Sequence, residues 1–242
     1  MGENNYILNV DDIYENIKIF DENEKYKETV LRKLFDVYKD NTNFCKVLIK
    51  VTTLNSLYGA GLHDSIGSKT IDVITMAKHI LLEPRFDGWL KSENENDHLK
   101  AYSYIESGKS DARDEHYNNC YSFASKYCSW HRPDIFPIWD TTVRENLHHF
   151  IMANDISSAK EVEEWDKINN SNFNNYMVFY KVFIRFKDYI NDKIRKENDK
   201  NQEYTVKELD KFLWQYSRKI DDDDNTLQKI GGDGGDEKSK DS

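Results

Sequence analysis

The sequence contains few of the residues that interrupt helices. Its 242 residues include only three prolines and ten glycines, and four of those glycines fall within the last twelve residues. Proline and glycine mark the frequent turns of β-rich folds, so their scarcity argues against such a fold. Aromatic residues make up 13% of the chain and can supply a core despite the high content of charge. We therefore expect a single, mostly helical all-α domain over residues 1–219.

The sequence also lacks the features of secreted, membrane and zinc proteins. Its three cysteines are odd in number and widely spaced, which favours a reducing cytoplasm over a disulfide framework. No apolar run approaches the length of a transmembrane helix, and residues 1–20 lack the basic start and apolar stretch of a signal peptide. The seven histidines and the cysteines show no zinc-ligand spacing. We expect a cytoplasmic protein with no metal site and no cofactor.

Negative charge is concentrated at the two ends of the chain. Of the net charge of −10, residues 1–40 contribute −4, residues 220–242 contribute −5 and the body between them contributes −1. A nearly neutral body is compatible with DNA binding, but the absence of a dense basic run predicts modest, salt-sensitive affinity. Residues 220–242 form an acidic, low-complexity tail that we expect to be disordered.

The most informative stretch is YNNCYSFASKYCSWHRPDIFPIWDTTVRENL, residues 117–147. Its aromatic spacing predicts a buried helix over Tyr121–Trp130. Pro133 and Pro137 prevent that helix from continuing and favour an extended connection. Asp140 follows, with Thr141, at the position that caps a helix over residues 142–150. The pattern therefore predicts one carboxylate held rigidly at the start of a helix.

This stretch resembles the centre of the helix-hairpin-helix superfamily of DNA glycosylases. Asp140 of PIWDTTV matches the catalytic aspartate of the superfamily's VDTHV-like motif, Val143 matches its apolar residue, and Ala124 matches a small residue between two helices. SFASKYCSWHRPDIFPIWD, with a downstream DKFLWQY, is similar to a set of uncharacterised bacterial proteins related to that superfamily. The resemblance covers roughly residues 43–150. It implies an all-α, glycosylase-like core with helical additions at both ends.

Two departures from the superfamily affect the expected chemistry. Its hairpin usually carries two glycines that approach a DNA phosphate, whereas Asn118, Asn119 and Cys120 stand here. Its bifunctional members also carry a lysine nucleophile, and the usual spacing of eighteen residues before Asp140 leads to Ser122. Lys126 lies one helical turn further on and is expected to point elsewhere. We therefore favour hydrolysis without a Schiff base.

The resemblance also implies a set of substrate-binding residues around the catalytic Asp140. The loop after the helix over residues 44–57 would fill the gap left by an extruded base or line the base pocket, and its candidates are Asn55, Tyr58 and His63. Aromatic walls would come from Tyr58, Trp130 and Trp139, and phosphate or base contacts from Lys126, His131 and Arg132. Each residue has a plain structural alternative: a glycine-rich turn, core packing, or a helix cap without chemistry.

Two other regions carry simpler predictions. Residues 91–100 are polar and are expected to be an exposed loop or a frayed turn. Residues 101–116 are also polar and are either an inserted loop that binds substrate or a plain connection. Residues 176–194 form an amphipathic helix whose basic outer face is either a solvated surface or a track for a phosphate backbone.

The function implied by the resemblance is a DNA glycosylase that hydrolyses the N-glycosidic bond of a modified or damaged base. It would act as a monomer on double-stranded DNA with an extruded base. The missing hairpin glycines suggest an unusual substrate, such as a hypermodified base in phage DNA, and hence a role in antiphage defence. One alternative is a non-catalytic nucleic-acid or protein-binding module that retains the fold. Another is a protein-interaction factor whose acidic tail mimics nucleic acid.

Overall fold

The described part of the chain is helical. The structure, a computed structural model, describes residues 6–62, 71–108, 120–158, 163–165, 167, 176–197 and 203–232, with side chains as far as residue 219. These residues contain no strand, which confirms the all-α prediction for them. The helices are α1 (Val10–Asn23), α2 (Lys25–Val37), α3 (Phe44–Tyr58), α4 (Val73–Leu82), α5 (Phe86–Lys91), α6 (Glu95–Glu106), α7 (Tyr121–His131), α8 (Thr141–Ala153), α9 (Tyr176–Glu197) and α10 (Val206–Gly232). In the ranges just given, no helix is long and apolar enough to cross a membrane.

Polar side chains fix where several helices begin. Asn9, Asn43, Asp72, Asn94 and Asp140 stand immediately before α1, α3, α4, α6 and α8, and each accepts a hydrogen bond from a backbone N–H of the first turn. Such caps satisfy amides that have no partner within the helix. The helix boundaries are therefore set by short-range hydrogen bonds that a sequence can reveal.

Helix α7 occupies the centre of the molecule. All eight residues from Phe123 to Trp130 are buried. A helix that is buried on every face must be surrounded by other elements, and α2, α3 and α6 all pack against α7. On the other side of the molecule α10 packs along α1 and α8. Helix α9 directs Phe179, Phe183 and Phe186 into the same core.

Two regions differ from the sequence predictions. Residues 95–106 form α6 and not a loop, because His98, Ala101, Tyr102 and Ile105 bury one face of this polar helix. The backbone also remains helical through residues 220–232, where the acidic composition predicts disorder. Adding a residue to an existing helix costs much less than starting one, so α10 can extend into a sequence that would not form a helix alone.

A buried lysine joins several helices. Lys50 on α3 has no exposed surface, and its ammonium donates to the carbonyl oxygens of Tyr38 and Asp40 at 3.0 Å and to Asn41 Oδ1 at 2.7 Å. The Tyr127 hydroxyl on α7 donates to the same Asn41 oxygen at 2.6 Å. Burial lowers the pKa of Lys50 to about 8, although Asp87 and Asp40 oppose the change. The network ties the turn after α2 to α3 and α7.

We expect Lys50→Met to destabilise the protein by roughly 2–4 kcal/mol, because it leaves buried oxygens without their donor. The measurement is urea unfolding followed by circular dichroism. The matched control is Lys46→Met, one turn earlier on α3, where the side chain is 41% exposed and lies 3.6 Å from Asp40. The control should change stability by less than about 1 kcal/mol. Equal losses in both variants would contradict a structural role for the Lys50 network.

Candidate active-site cleft

A cleft of about 230 Å³ opens where α1, α2, α3, α7, α8 and α10 meet. Its lining combines apolar side chains with charged ones from both halves of the chain. The charged or polar lining residues are Glu24, Lys27, Tyr58, Lys126, Asp140, Lys207, Asp210 and Lys211, and the apolar ones are Phe20, Leu57, Ile138, Val143 and Trp214. Among the described residues, no group of three or more His, Cys, Asp and Glu side chains is arranged to hold a metal ion.

The connection between α7 and α8 is held in place by three helices. Ser125 Oγ on α7 accepts a hydrogen bond from the amide of Trp139 at 2.9 Å. Both carboxylate oxygens of Asp210 on α10 lie 3.1 Å from the amide of Ile138. The hydroxyl of Tyr176 on α9 donates to the carbonyl of Pro137 at 2.8 Å. Three consecutive residues before Asp140 therefore have fixed backbone positions.

Asp140 caps α8 and also faces the cleft. Its Oδ1 accepts from the amide of Thr142 at 3.1 Å, and its Oδ2 lies 3.5 Å from the ammonium of Lys126. The side chain is 27% exposed. The cap uses one oxygen, so the other remains available to the cleft. The carboxylate is thus accessible, which the predicted catalytic role requires.

Lys126 is directed at Asp140, so the sequence prediction that this lysine points elsewhere is wrong. Its ammonium also donates to Ser122 Oγ at 2.8 Å, and its side chain is only 6% exposed. Because Ser122 and Lys126 are four residues apart, they lie on the same face of α7. Burial lowers the pKa of the lysine, and the charge and hydrogen bond of Asp140 oppose that change.

A buried ionic cluster lies behind Tyr58. The Tyr58 hydroxyl donates to Glu28 Oε1 at 2.5 Å, and the ammonium groups of Lys207 and Lys211 lie 3.6 and 3.5 Å from the Glu28 carboxylate. Burial alone would raise the pKa of Glu28, but Lys207, Tyr58 and Lys211 together lower it below its usual value. Burial and the negative charge of Glu28 raise the pKa of Tyr58. The tyrosine is therefore a neutral hydrogen-bond donor.

Asp210 lines the cleft together with Asp140 and Glu24, and its environment differs from that of Asp140. Its side chain belongs to α10 and the residue is only 3% exposed. Burial raises the pKa of Asp210 to about 8, with further raising by Asp140 and Glu28, whereas Lys207 and the Ile138 amide lower it. Burial is the largest of these effects and favours the protonated form of the carboxyl group.

Two aromatic rings form the apolar wall of the cleft. Phe20 on α1 and Trp214 on α10 meet edge to face, with ring centroids 5.2 Å apart. The guanidinium of Arg218 lies 3.8 Å from the Trp214 ring centroid and fixes its outer face. Flat apolar walls of this kind suit a planar ligand.

The comparisons with known proteins give a family and no activity. The model of the N-terminal domain HI_0787_N matches residues 9–135, which is more than half of the chain. The chain belongs to the HI_0787_N family. A relative from Haemophilus influenzae, described as an uncharacterized protein, is 26% identical over 181 residues, covering 75% of this chain and 71% of its own. No solved structure gives a significant match.

The HI_0787_N domain supplies only one side of the cleft. It includes α1–α7 and hence Phe20, Tyr58 and Lys126, but it ends five residues before Asp140. Asp140 and Asp210 come from the part of the chain that follows. A cleft with two separate contributions is a common location for a ligand site.

The structure does not place every predicted site residue in this cleft. Asn55 instead closes the loop after α3, since its amide exchanges two 3.0 Å hydrogen bonds with the backbone of Leu62. His63 lies outside the described residues. Trp139 is 6% exposed and packs edge to face against Phe179 at 5.0 Å, so it belongs to the core. The predictions for Asn55 and Trp139 are therefore wrong for this cleft.

Three other predicted residues line a second cleft of about 200 Å³ on the far side of α7. Trp130 borders it and also contacts two lining residues of the main cleft, with the Lys207 ammonium 4.5 Å and the Tyr58 ring centroid 6.1 Å from its ring. His131 Nε2 is 3.2 Å from the Lys50 ammonium, and burial and that charge lower the pKa of the imidazole. Arg132 pairs with Asp134 at 2.9 Å. These side chains follow Lys126 on α7 but turn away from the cleft.

Sequence reasoning missed the contribution of α10. Asp210, Lys211 and Trp214 belong to DKFLWQY, a motif that contributed to the resemblance but from which no site residue was predicted. The unusual clustering of aspartate, lysine and tryptophan in that motif is the signal that could have identified them. Phe20 and Glu28 have no local signal, because Phe20 is placed by the packing of α1 on α10 and Glu28 by its ion pairs with Lys207 and Lys211.

The raised pKa of Asp210 predicts a pH-dependent stability. The pKa of Asp210 is higher in the folded than in the unfolded protein. Its contribution to the free energy of unfolding is therefore fully present below about pH 4 and is lost as the pH rises through about 8. Asp210→Asn does not ionise and can still accept from Ile138. Between those pH values the free energy of unfolding of the variant should rise relative to that of the wild type by up to about 1.4 kcal/mol per pH unit.

The measurement is urea unfolding at pH 5, 7 and 9. Asp188→Asn serves as the control because this α9 side chain is 65% exposed. A constant difference between Asp210→Asn and the wild type at all three pH values would show that Asp210 is already ionised in the folded protein.

Proposed function

We propose that this protein is a DNA glycosylase-like hydrolase that removes a modified or damaged base, with Asp140 as its catalytic carboxylate. The observation that carries the proposal is the position of Asp140, which is fixed at a helix start and open to a cleft with aromatic walls. The substrate would be a base extruded from double-stranded DNA, including a modified base of foreign DNA.

The helix-hairpin-helix glycosylase fold is part of the same proposal. Its support is local: a buried helix α7, a connection with two prolines, and an aspartate that caps the next helix. The connection is not extended throughout as predicted, because residues 133–135 form a turn in which the amides of Ile135 and Phe136 donate to the carbonyl of Arg132. The hairpin positions Asn118 and Asn119 lie outside the described residues.

The chemistry requires a fixed negative charge beside the sugar. As the bond between the sugar and the base breaks, positive charge develops on the anomeric carbon, and a carboxylate that is already oriented stabilises it without reorganisation. The same carboxylate can orient or deprotonate the attacking water, as in sugar hydrolysis. Asp140 Oδ2 meets these requirements because Oδ1 alone serves the helix cap.

The size and lining of the cleft favour a single ring system. Its volume of about 230 Å³ is below the roughly 300–1,000 Å³ of pockets for drug-sized ligands. Phe20 and Trp214 contribute aromatic rings to this lining, and enzymes that act on bases hold the extruded base against aromatic rings. The cleft therefore fits a nucleobase better than a whole nucleotide.

Asp140→Asn should reduce base release by at least about a hundredfold while the protein remains folded. Asparagine caps helices as well as aspartate does, so the substitution removes the charge and keeps the cap. The assay incubates duplex oligonucleotides carrying a panel of modified bases and quantifies abasic sites. The control is Asp72→Asn, the same change at the cap of α4, which does not line the cleft.

Two results would contradict the enzymatic proposal. Base release by Asp140→Asn at the wild-type rate would leave the residue as a helix cap only. Salt-dependent DNA binding by a wild-type protein that releases no base from the panel would instead support the non-catalytic binding module.

We expect hydrolysis to proceed without a covalent intermediate, although Lys126 lies beside Asp140. The lysine ammonium is held by Asp140 and Ser122, so it positions the carboxylate as a cation and its lone pair is not free to attack. Incubation with substrate and sodium borohydride should give no protein–DNA adduct, and the DNA strand should remain intact at the abasic site. An adduct that disappears in Lys126→Met would establish Lys126 as a nucleophile and replace the hydrolytic route.

A further inference from the structure

We infer that Asp210 protonates the departing base, which makes an uncharged base the substrate of this cleft. The inference rests on the proposed function and adds a second acidic residue to it. Asp140 and Asp210 line the same cleft but come from different parts of the fold: one precedes α8 and the other lies on α10.

The two acids are held by the same backbone segment. Asp210 is bound through the amide of Ile138, which stands two residues before Asp140. Asp140 follows this segment, and its carboxylate is fixed by the hydrogen bond that it accepts from the amide of Thr142. Both side chains are therefore tied to backbone amides within residues 138–142. Such a fixed pair is what opposite acid and base roles require.

The surroundings of Asp210 favour the protonated form of its carboxyl group. The charged or titratable groups near it are Lys207 on the same helix, Glu28 on α2, Tyr58 on α3, Tyr176 on α9 and Asp140 itself. Burial and the two carboxylates disfavour its ionisation, and Lys207 opposes them. Lys207 is also drawn to Glu28, which it approaches to 3.6 Å. A carboxyl group whose protonated form is favoured by its environment is suited to act as a general acid.

The proposed step conserves atoms and charge. The bond between the anomeric carbon and the base nitrogen breaks, and its electron pair leaves with the base. The Asp210 carboxyl proton moves to the base, so the base departs neutral. Water adds to the anomeric carbon, and Asp140 accepts the proton that the water loses. Asp210 ends ionised and Asp140 ends protonated, and exchange with solvent restores both groups.

This step identifies the class of base. An uncharged base leaves as an anion unless it receives a proton, so its release depends on an acid. A base with a fixed positive charge, such as 7-methylguanine, leaves neutral without one. A residue that only pins Ile138 would affect both classes alike.

The experiment measures single-turnover base release from duplexes that contain one hypoxanthine, 8-oxoguanine, 5-hydroxymethyluracil or 7-methylguanine. We expect Asp210→Asn to slow release of the uncharged bases at least about a hundredfold. Release of 7-methylguanine should change less than about threefold if the proton is the cause. In the wild type, release of an uncharged base should fall at alkaline pH as Asp210 loses its proton. Asp188→Asn is the control.

Three outcomes would overturn the inference or its basis. Release of uncharged bases by Asp210→Asn at near the wild-type rate would refute the acid role while leaving the proposed function intact. Equal slowing of both classes would make Asp210 a positioning residue. Absence of any release by the wild type would refute the proposed function itself. If Asp210→Asn does not fold, the test is carbon-13 NMR of the Asp210 carboxyl group in the wild type. An ionised carboxylate at pH 6 would contradict the inference.

Discussion

The site depends on the immobilisation of one short extended segment. Pro137, Ile138 and Trp139 are each hydrogen-bonded by a different helix, through Tyr176, Asp210 and Ser125. An extended backbone has no internal hydrogen bonds, so its polar groups must find partners elsewhere when they are buried. Here those partners come from α9, α10 and α7, and Asp140 takes its position at the end of the segment they hold.

Charge is buried around this segment in an arrangement that contributes little net stability. Glu28, Lys207 and Lys211 lose hydration in the core, and their mutual attraction only partly offsets that loss. Removing one of these three side chains would leave a buried charge without its partner. The resulting loss of stability is larger than the net contribution of the ion pair. Clusters of buried charged side chains often mark functional sites because they shift the pKa values of neighbouring groups. Here Asp140 is open to the cleft, whereas Asp210 is almost fully buried beside this cluster.

Much of the helical framework could be predicted from the sequence. The cap residues before α1, α3 and α8, the aromatic spacing of α7 and α9, and the prolines after α7 act over a few residues and are visible locally. Helix α6 was missed because its buried face includes a histidine, His98, whose ring nitrogen bonds the carbonyl of Ser92 at 2.5 Å. Polar residues that find partners in the core do not contribute to an apolar pattern.

The candidate site was predicted only in part. Asp140, Lys126 and Tyr58 lie in the cleft, whereas Trp139 faces the core and Arg132 faces another surface. The sequence alone determined that one carboxylate starts α8, because capping is a relation between adjacent residues. Only the tertiary structure decided that Phe20 and Asp210 line the same cleft and that Glu28 lies behind Tyr58. Those residues lie 70 to 120 positions away in the chain, and long-range packing has no local signature in the sequence.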